Sequence, residues 1–419
     1  MNSKLSKYLF YYLIFLFICS CAYLAQKHNV GNDSTISEWL INYEGGFTKR
    51  GIIGQINIYL ANLFNIELRK SILFFQIALI GVYFILLFRF IGSLRINKIL
   101  LLSIFTPIFI IYPLAEVEVL ARKEIFLFCI FIIYLNLNSF FSQNVFKIIF
   151  LSLAILIYEP VIFYFLFFIG VDVIKNNFNK LNKKILLSLL SYSPATFIAL
   201  YIAFNPLNAM EHQMMSDYLK NNFNEICYMS CALLQTKSSI YDQFQGNFSH
   251  YSIEVFVRYF LIILIGFGPL LLLLKHSYIL NKQLIFFKFF NNLLIPFLLF
   301  YIPVIFFFAM GSDWGRWVNI SYVFGILLYL FLYKENFIKI DDRIFNHKII
   351  SPLKNKKIFI VFFIIFCFGW NQKTAMTGDI ATNPLWKVPY NASKIIFGFS
   401  SFRILQDSPI SIWHKKYIE

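Results

Sequence analysis

Charge is what this chain most lacks. Only 14% of its 419 residues are Asp, Glu, Lys or Arg, against about 25% in ordinary soluble domains, and that shortage excludes a water-soluble enzyme with a solvated surface. Acids are scarcest, 21 against 37 cations. Cysteine is thin as well: six positions are scattered, which gives no zinc-ligand pattern and no disulfide framework. Cys227 and Cys231 alone share a polar loop, where they either pair in an oxidising compartment or sit reduced on one helix face. Internal repeats of the kind that build transporters from matching halves are missing. No metal-ligand set and no cofactor motif stands out, so neither is expected.

What is present is apolar. The chain is 59% hydrophobic and 20% aromatic, with a mean hydropathy of +0.67. Apolar stretches fall at 8–25, 71–88, 99–114, 125–141, 145–173, 185–204, 255–274, 293–310, 320–333 and 358–370. The fold class is therefore an all-α, multispan membrane bundle, since about 20 apolar residues cross ~30 Å of hydrocarbon. The first stretch exceeds the roughly 7–15 residues of a signal-peptide core, so an uncleaved first span is expected. The stretch 145–173 is too long for one span and holds Glu159 and Pro160 at its middle, which reads as two short helices joined at Tyr158-Glu159-Pro160. With that division the count is eleven.

Eleven crossings leave 20 of the 37 cations but only Asp172, Glu335, Asp341 and Asp342 on the cytoplasmic side. Lys and Arg are retained there as orienting charges, and the surplus of +16 is thereby accounted for without nucleic acid as a partner. The N-terminus is then cytoplasmic. Residues 1–370 form the membrane domain, with outer loops at 26–70 and 205–254, and 371–419 form an outer, periplasmic tail.

Nearly all acids face outward in this topology, and four groupings there can carry chemistry. In "INYEGGFTKRGIIGQI", Gly45-Gly46 permits a turn at positive φ, and residues 50–64 read as an amphipathic helix lying in the interface. Glu44, Lys49 and Arg50 then suit either a lipid-headgroup anchor or the rim of a site. In "AEVEVLARKEIFLF", Glu118 and Arg122 are spaced for a helix-face ion pair, while Arg122, beside Lys123 and Glu124, also suits a phosphate, because its planar fork binds phosphate oxygens in pairs. Glu159, an acid inside an apolar run, is expected to face a cavity and pair with a cation. In "FFFAMGSDWGRWVNI", Asp313, Trp314, Arg316 and Trp317 fit either a membrane-edge belt with a helix cap or a sugar-phosphate site. Glu211, His212 and His250 in the 205–254 loop lack a convergent partner.

A first span, then an outer loop with an acid and an interfacial helix, resembles the GT-C class of membrane glycosyltransferases. The Arg122-Lys123-Glu124 run at a helix start, followed by an acid inside the next apolar hairpin, is similar to the arrangement in EpsG-like and Wzy-type O-antigen and capsule polymerases. The resemblance implies an inner-membrane enzyme of lipopolysaccharide or capsule biosynthesis that takes polyprenyl-diphosphate-linked oligosaccharide from the bilayer's outer face, with other export and assembly proteins as partners. On this expectation Arg122 and Arg316 have catalytic roles, stabilising the departing diphosphate, with Glu44 or Glu159 as proton acceptor. Lys49, Arg50, Lys123, Asp313, Trp314 and Trp317 would bind substrate. A transferase of single sugars, a flippase for the same lipid and a non-catalytic envelope scaffold are the competing expectations.

Overall fold

In the computed structural model, which describes residues 3–378 except 31–33, 93, 181, 236–239, 281–283, 285–286 and 347–349, the helix Trp314–Lys334 is the axis of the bundle. Every residue from Trp314 to Leu332 is buried. A helix apolar on all sides has to be surrounded, and here aromatic rings do much of that work. Phe324 lies 4.5 to 6.4 Å, centroid to centroid, from Phe128, Phe131, Tyr164, Phe167 and Phe168. Glu124–Asn136, Phe165–Lys175 and Ile302–Ala309 thereby pack around the axis.

The described residues are 74% helical, and the one sheet among them is a ribbon pairing Ser277–Ile279 antiparallel with Ile338–Ile340. Among the described residues five helices are long and apolar enough to cross a membrane, or six if the bent pair Tyr241–Phe248 and Ile253–Gly266 is one span. Among the described residues, several of the apolar stretches do not form one continuous helix each. The stretch at 99–114 stops as a helix at Phe105, because Thr106 turns extended ahead of Pro107. Its eight helical residues rise only about 12 Å. The 293–310 stretch divides at Tyr301, with Pro303 opening the second piece, and 255–274 divides at Phe267, ahead of Pro269.

The break inside 145–173 is the one that shapes the site. Helix Ser152–Ile157 ends at Tyr158, which is extended (φ −156°, ψ 93°), and a 3-10 turn, Glu159–Tyr164, leads into Phe165–Lys175. The chain reverses there, since Lys147 Nζ meets Asp172 Oδ2 at 2.7 Å on the far ends of the two arms. Tyr134, Ser188 and Tyr192 also hydrogen-bond to that buried carboxylate, so neither ion of this pair is left unmatched.

The amphipathic helix expected after Arg50 forms as Gly51–Phe64, burying Ile53, Asn57, Ile58 and Ala61 against Leu68–Gly92. Residues 371–378, expected as the start of a tail, instead lie packed behind the 311–316 turn, with Asn371, Gln372, Thr374 and Met376 buried. The rest of that tail, 379–419, lies outside the described residues.

Candidate functional site: a buried ion cluster beside a cavity

The helix Ser34–Leu40 buries every residue from Thr35 to Leu40, Glu38 among them. An ionised carboxylate without water needs cations, and three arginines supply them. Arg122 Nε donates to Glu38 Oε2 at 2.8 Å, Arg316 Nη2 lies 3.5 Å from the same oxygen, and Arg50 Nη1 lies 3.7 Å from Oε1. Two of these arginines hold a second acid. Arg50 forms a bidentate pair with Glu159 at 2.8 and 2.8 Å, and Arg316 forms one with Glu124 at 2.5 and 2.6 Å. The ring of Tyr158 sits between them, 5.0 Å from the Arg50 guanidinium and 5.2 Å from that of Arg316.

Backbone strain aims these side chains. Arg50 and Ala121 both adopt left-handed φ, 64° and 55°, at about 1–2 kcal/mol each for residues other than glycine. Each is fixed through its carbonyl. Lys123 Nζ donates to Arg50 O at 2.6 Å, and Trp39 Nε1 and Gln76 Nε2 donate to Ala121 O at 3.1 and 3.2 Å. From the kink at Ala121, three consecutive side chains diverge: Arg122 to Glu38, Lys123 to the Arg50 carbonyl, Glu124 to Arg316. Such outliers persist only where surrounding bonds over-determine them, and they gather at functional sites.

Burial alone would raise the Glu38 carboxyl, but Arg122, Arg316, Arg50 and Lys123 together outweigh it and hold Glu38 below the usual carboxylate range. Glu159 is also held low, since Arg50 and Lys49 outweigh the upward push of burial. Burial lowers Lys49, with Glu159 opposing, and pushes Lys123 down to about 7 against the pull of Glu38. The cluster is thus a set of charges held at the expense of hydration.

A cavity of about 510 Å³ opens beside it. Lys49, Arg50, Glu118, Arg122, Asp313 and Arg316 line its charged side, while Ile41, Met229, Leu233, Phe307, Met310 and Trp317 contribute apolar wall. Its cations are not equivalent. Arg50 and Arg316 are clamped by carboxylates, whereas Arg122 donates only through Nε, its Nη1 standing 3.9 Å from Asp313 Oδ2. Lys49 forms no hydrogen bond or ion pair among the described residues. Two cations therefore face the cavity with donors to offer. Another recess, of about 380 Å³, lies along Lys183–Leu190 and Ser193–Phe204 and holds no ionisable group other than Tyr192.

The wall residues Met229 and Ser230 belong to a loop closed by a Cys227–Cys231 disulfide, and Leu233 and Leu234 to the 3-10 turn, Ala232–Leu234, that follows it. Glu225 ties that loop to Arg69 at 2.5 and 3.0 Å, and Ser37 Oγ accepts from Ser230 N at 3.2 Å. Of the two states the sequence left open, the paired one is present. His212 lies beside it, Nε2 3.3 Å from Cys227 Sγ, so the only three-residue His/Cys/Asp/Glu grouping among the described residues has both thiols tied up in the disulfide.

Of the residues singled out in the sequence, Lys49, Arg50, Arg122, Asp313, Arg316 and Trp317 line the cavity, and Lys123 and Glu159 join the cluster behind it through Arg50. Glu44 does not. It is exposed, accepts a hydrogen bond from Gln55 at 2.7 Å, and has lost its neighbour Arg50 to Glu159. Trp314 points elsewhere too, its Nε1 donating to Phe308 O and Gly311 O and its ring packed among Tyr251, Phe256 and Tyr259. The helix-face pair Glu118–Arg122 is absent, because Val117–Val119 is a 3-10 turn. Glu38, the hub, was missed; its one signal is a lone acid amid Ile36, Trp39, Leu40 and Ile41. Comparison with protein-family profiles, curated proteins and solved structures finds no match for this chain.

Proposed function

We propose that the protein is a membrane glycosyltransferase that acts on a polyprenyl-diphosphate-linked sugar, most simply by polymerising surface-polysaccharide repeat units. The observation that carries this reading is the two-sided cavity: Lys49 and Arg122 offer donors on one side, and an apolar wall runs along the other. An arginine fork and an ammonium suit the two phosphates of a carrier, and a preorganised cationic, water-poor cleft stabilises the negative charge that develops on a leaving diphosphate. Arg50, Arg316 and Lys123 hold the cleft's shape through their acids and carbonyl. Tyr158 and Trp317 at the cavity offer aromatic surface to a sugar ring.

The Cys227–Cys231 disulfide in the cavity wall supports an outward-facing site, because such bonds persist in oxidising compartments. In this reading the chain lies in a bacterial inner membrane, its short helices pair into as many as eleven passes, the N-terminus and the lysine-rich connections are cytoplasmic, and Gly51–Phe64 rests in the outer interface.

Single substitutions test it. Arg122→Gln and Lys49→Gln, each produced at normal membrane levels, are expected to shorten or abolish the surface-polysaccharide ladder on a gel. Ladders unchanged in both variants would end the enzyme reading.

A further inference from the structure

We propose that Asp313 is the group that accepts the proton from the attacking sugar hydroxyl; this rests on the glycosyl-transfer reading above. The other carboxylates of the cluster are occupied or out of reach. Glu38 is wholly buried beneath three arginines, and Glu124 and Glu159 are each locked in a bidentate pair; none of the three lines the cavity. Glu44 lies outside it, on Gln55.

Asp313 does line the cavity, with 34% of its side chain exposed. It stands at the N-cap of Trp314–Lys334, yet its side chain makes no capping bond, so its oxygens keep lone pairs to offer. Arg316 Nη1 donates one long hydrogen bond to Asp313 Oδ2 at 3.4 Å and Arg122 Nη1 stands 3.9 Å from the same oxygen, so neither cation grips the carboxylate in a bidentate pair. Asp313 therefore shares the cavity with Arg122, the cation assigned to the leaving diphosphate, and is a carboxylate there that an acceptor hydroxyl can reach. Glu118, the remaining carboxylate of the lining, rides on an exposed turn with no bond to the cluster.

The 371–378 segment makes Asp313 a fixed group. Gly315 N donates to Thr374 O at 3.0 Å and Met376 N donates to Ser312 O at 2.8 Å, so backbone bonds hold the turn on both sides of it. Arg258 Nη1 and Tyr259 OH hold the segment in turn, through the carbonyls of Gly378 and Ala375 at 2.9 and 3.2 Å.

The step balances with no further reactant. The acceptor oxygen bonds to the donor sugar's anomeric carbon, the bond from that carbon to the diphosphate oxygen breaks with its electron pair leaving on the diphosphate, and the hydroxyl proton passes to Asp313.

The test uses full-length protein in membranes of a strain lacking the chromosomal copy, with the lipid-linked oligosaccharide extracted from that strain as substrate. Asp313→Asn is expected to slow polymer formation by about a hundredfold or more, the usual range for losing a general base, and Asp313→Glu to restore part of it. Should the Asn variant fail to accumulate, Asp313→Ser removes the carboxylate with less bulk and is expected to show the same loss. Asp313→Asn working within twofold of wild type while Arg122→Gln is inactive overturns the assignment and leaves the glycosyl-transfer reading standing. Full activity in both variants removes that reading and the assignment together. A hundredfold loss from Glu118→Gln or Glu44→Gln, with Asp313→Asn active, names a different acceptor and overturns the proposal.

Discussion

Glu38 holds Arg50, Arg122 and Arg316 in one place, and no water reaches it. Replacing it with Gln keeps the volume and removes the charge, which leaves three guanidinium groups short of an anion. Breaking a buried pair from one side costs about 3–5 kcal/mol, so Glu38→Gln is expected to accumulate poorly and to melt well below wild type in detergent, whereas Glu44→Gln, at an exposed site, is expected to melt with wild type. A pH series reads the same forces. The folded-state values of Glu38 and Glu159 lie below the ordinary 4.5, so their contribution is present in full above that pH and drains as pH falls through the lower folded values. The melting midpoint is expected to fall below pH 4.5 in wild type and to fall less in Glu159→Gln. A midpoint equally insensitive to Glu38→Gln and to acid would show that these carboxylates hold nothing.

Glu38 was illegible in the sequence because two of its three arginines lie 84 and 278 residues away, the third, Arg50, is separated from it by a glycine turn, and a lone acid between apolar neighbours shows no local pair. Glu159 was legible for the opposite reason: an acid next to a proline inside an apolar run demands an explanation by itself. Which cation answers it was not, since Arg50 sits 109 residues away.

Among the elements, the 371–378 segment has the sharpest steric test. A Cβ added at Gly315 would lie 1.7 Å from Lys373 O, a backbone atom with nowhere to go, so the segment or the first turn of Trp314–Lys334 must shift. Gly315→Ala is expected to cost at least the ~1–3 kcal/mol typical of overpacking and to lower activity by displacing Asp313. Gly246→Ala meets nothing within 4 Å and is expected to leave melting unchanged or slightly higher, as alanine favours a helix. Equal melting of the two variants would contradict the packing described.

Element boundaries were readable where proline or paired glycines set them. Tyr158-Glu159-Pro160 reverses the chain, and Gly46 takes φ 139° in the turn that Gly45-Gly46 announced. They were unreadable where tertiary bonds override propensity. Arg50 and Ala121 occupy a conformation that neither residue prefers, and the polar run after Trp370 reads as solvated although backbone bonds bury it.

At the scale of the whole molecule, composition announced a helical chain able to cross a membrane, and that much did not need the structure. The number of crossings did, because an apolar run gives the length of a segment but not whether prolines divide it, and short helices such as Lys98–Phe105 cannot cross alone. Convergence of the site was half visible. The right segments stood out, while which cations are clamped and which face the cavity depends on carboxylates contributed from across the fold.

The charged side of the cavity and its apolar wall together define what the molecule is proposed to do: hold a lipid-borne diphosphate while its sugar is transferred. The most direct measurement is mass spectrometry of lipid-linked intermediates in a strain lacking this protein and in the same strain carrying Arg122→Gln. Accumulation of complete, unpolymerised repeat units on the polyprenyl carrier in both strains is the expected result. An intermediate pool identical to wild type in both would contradict it.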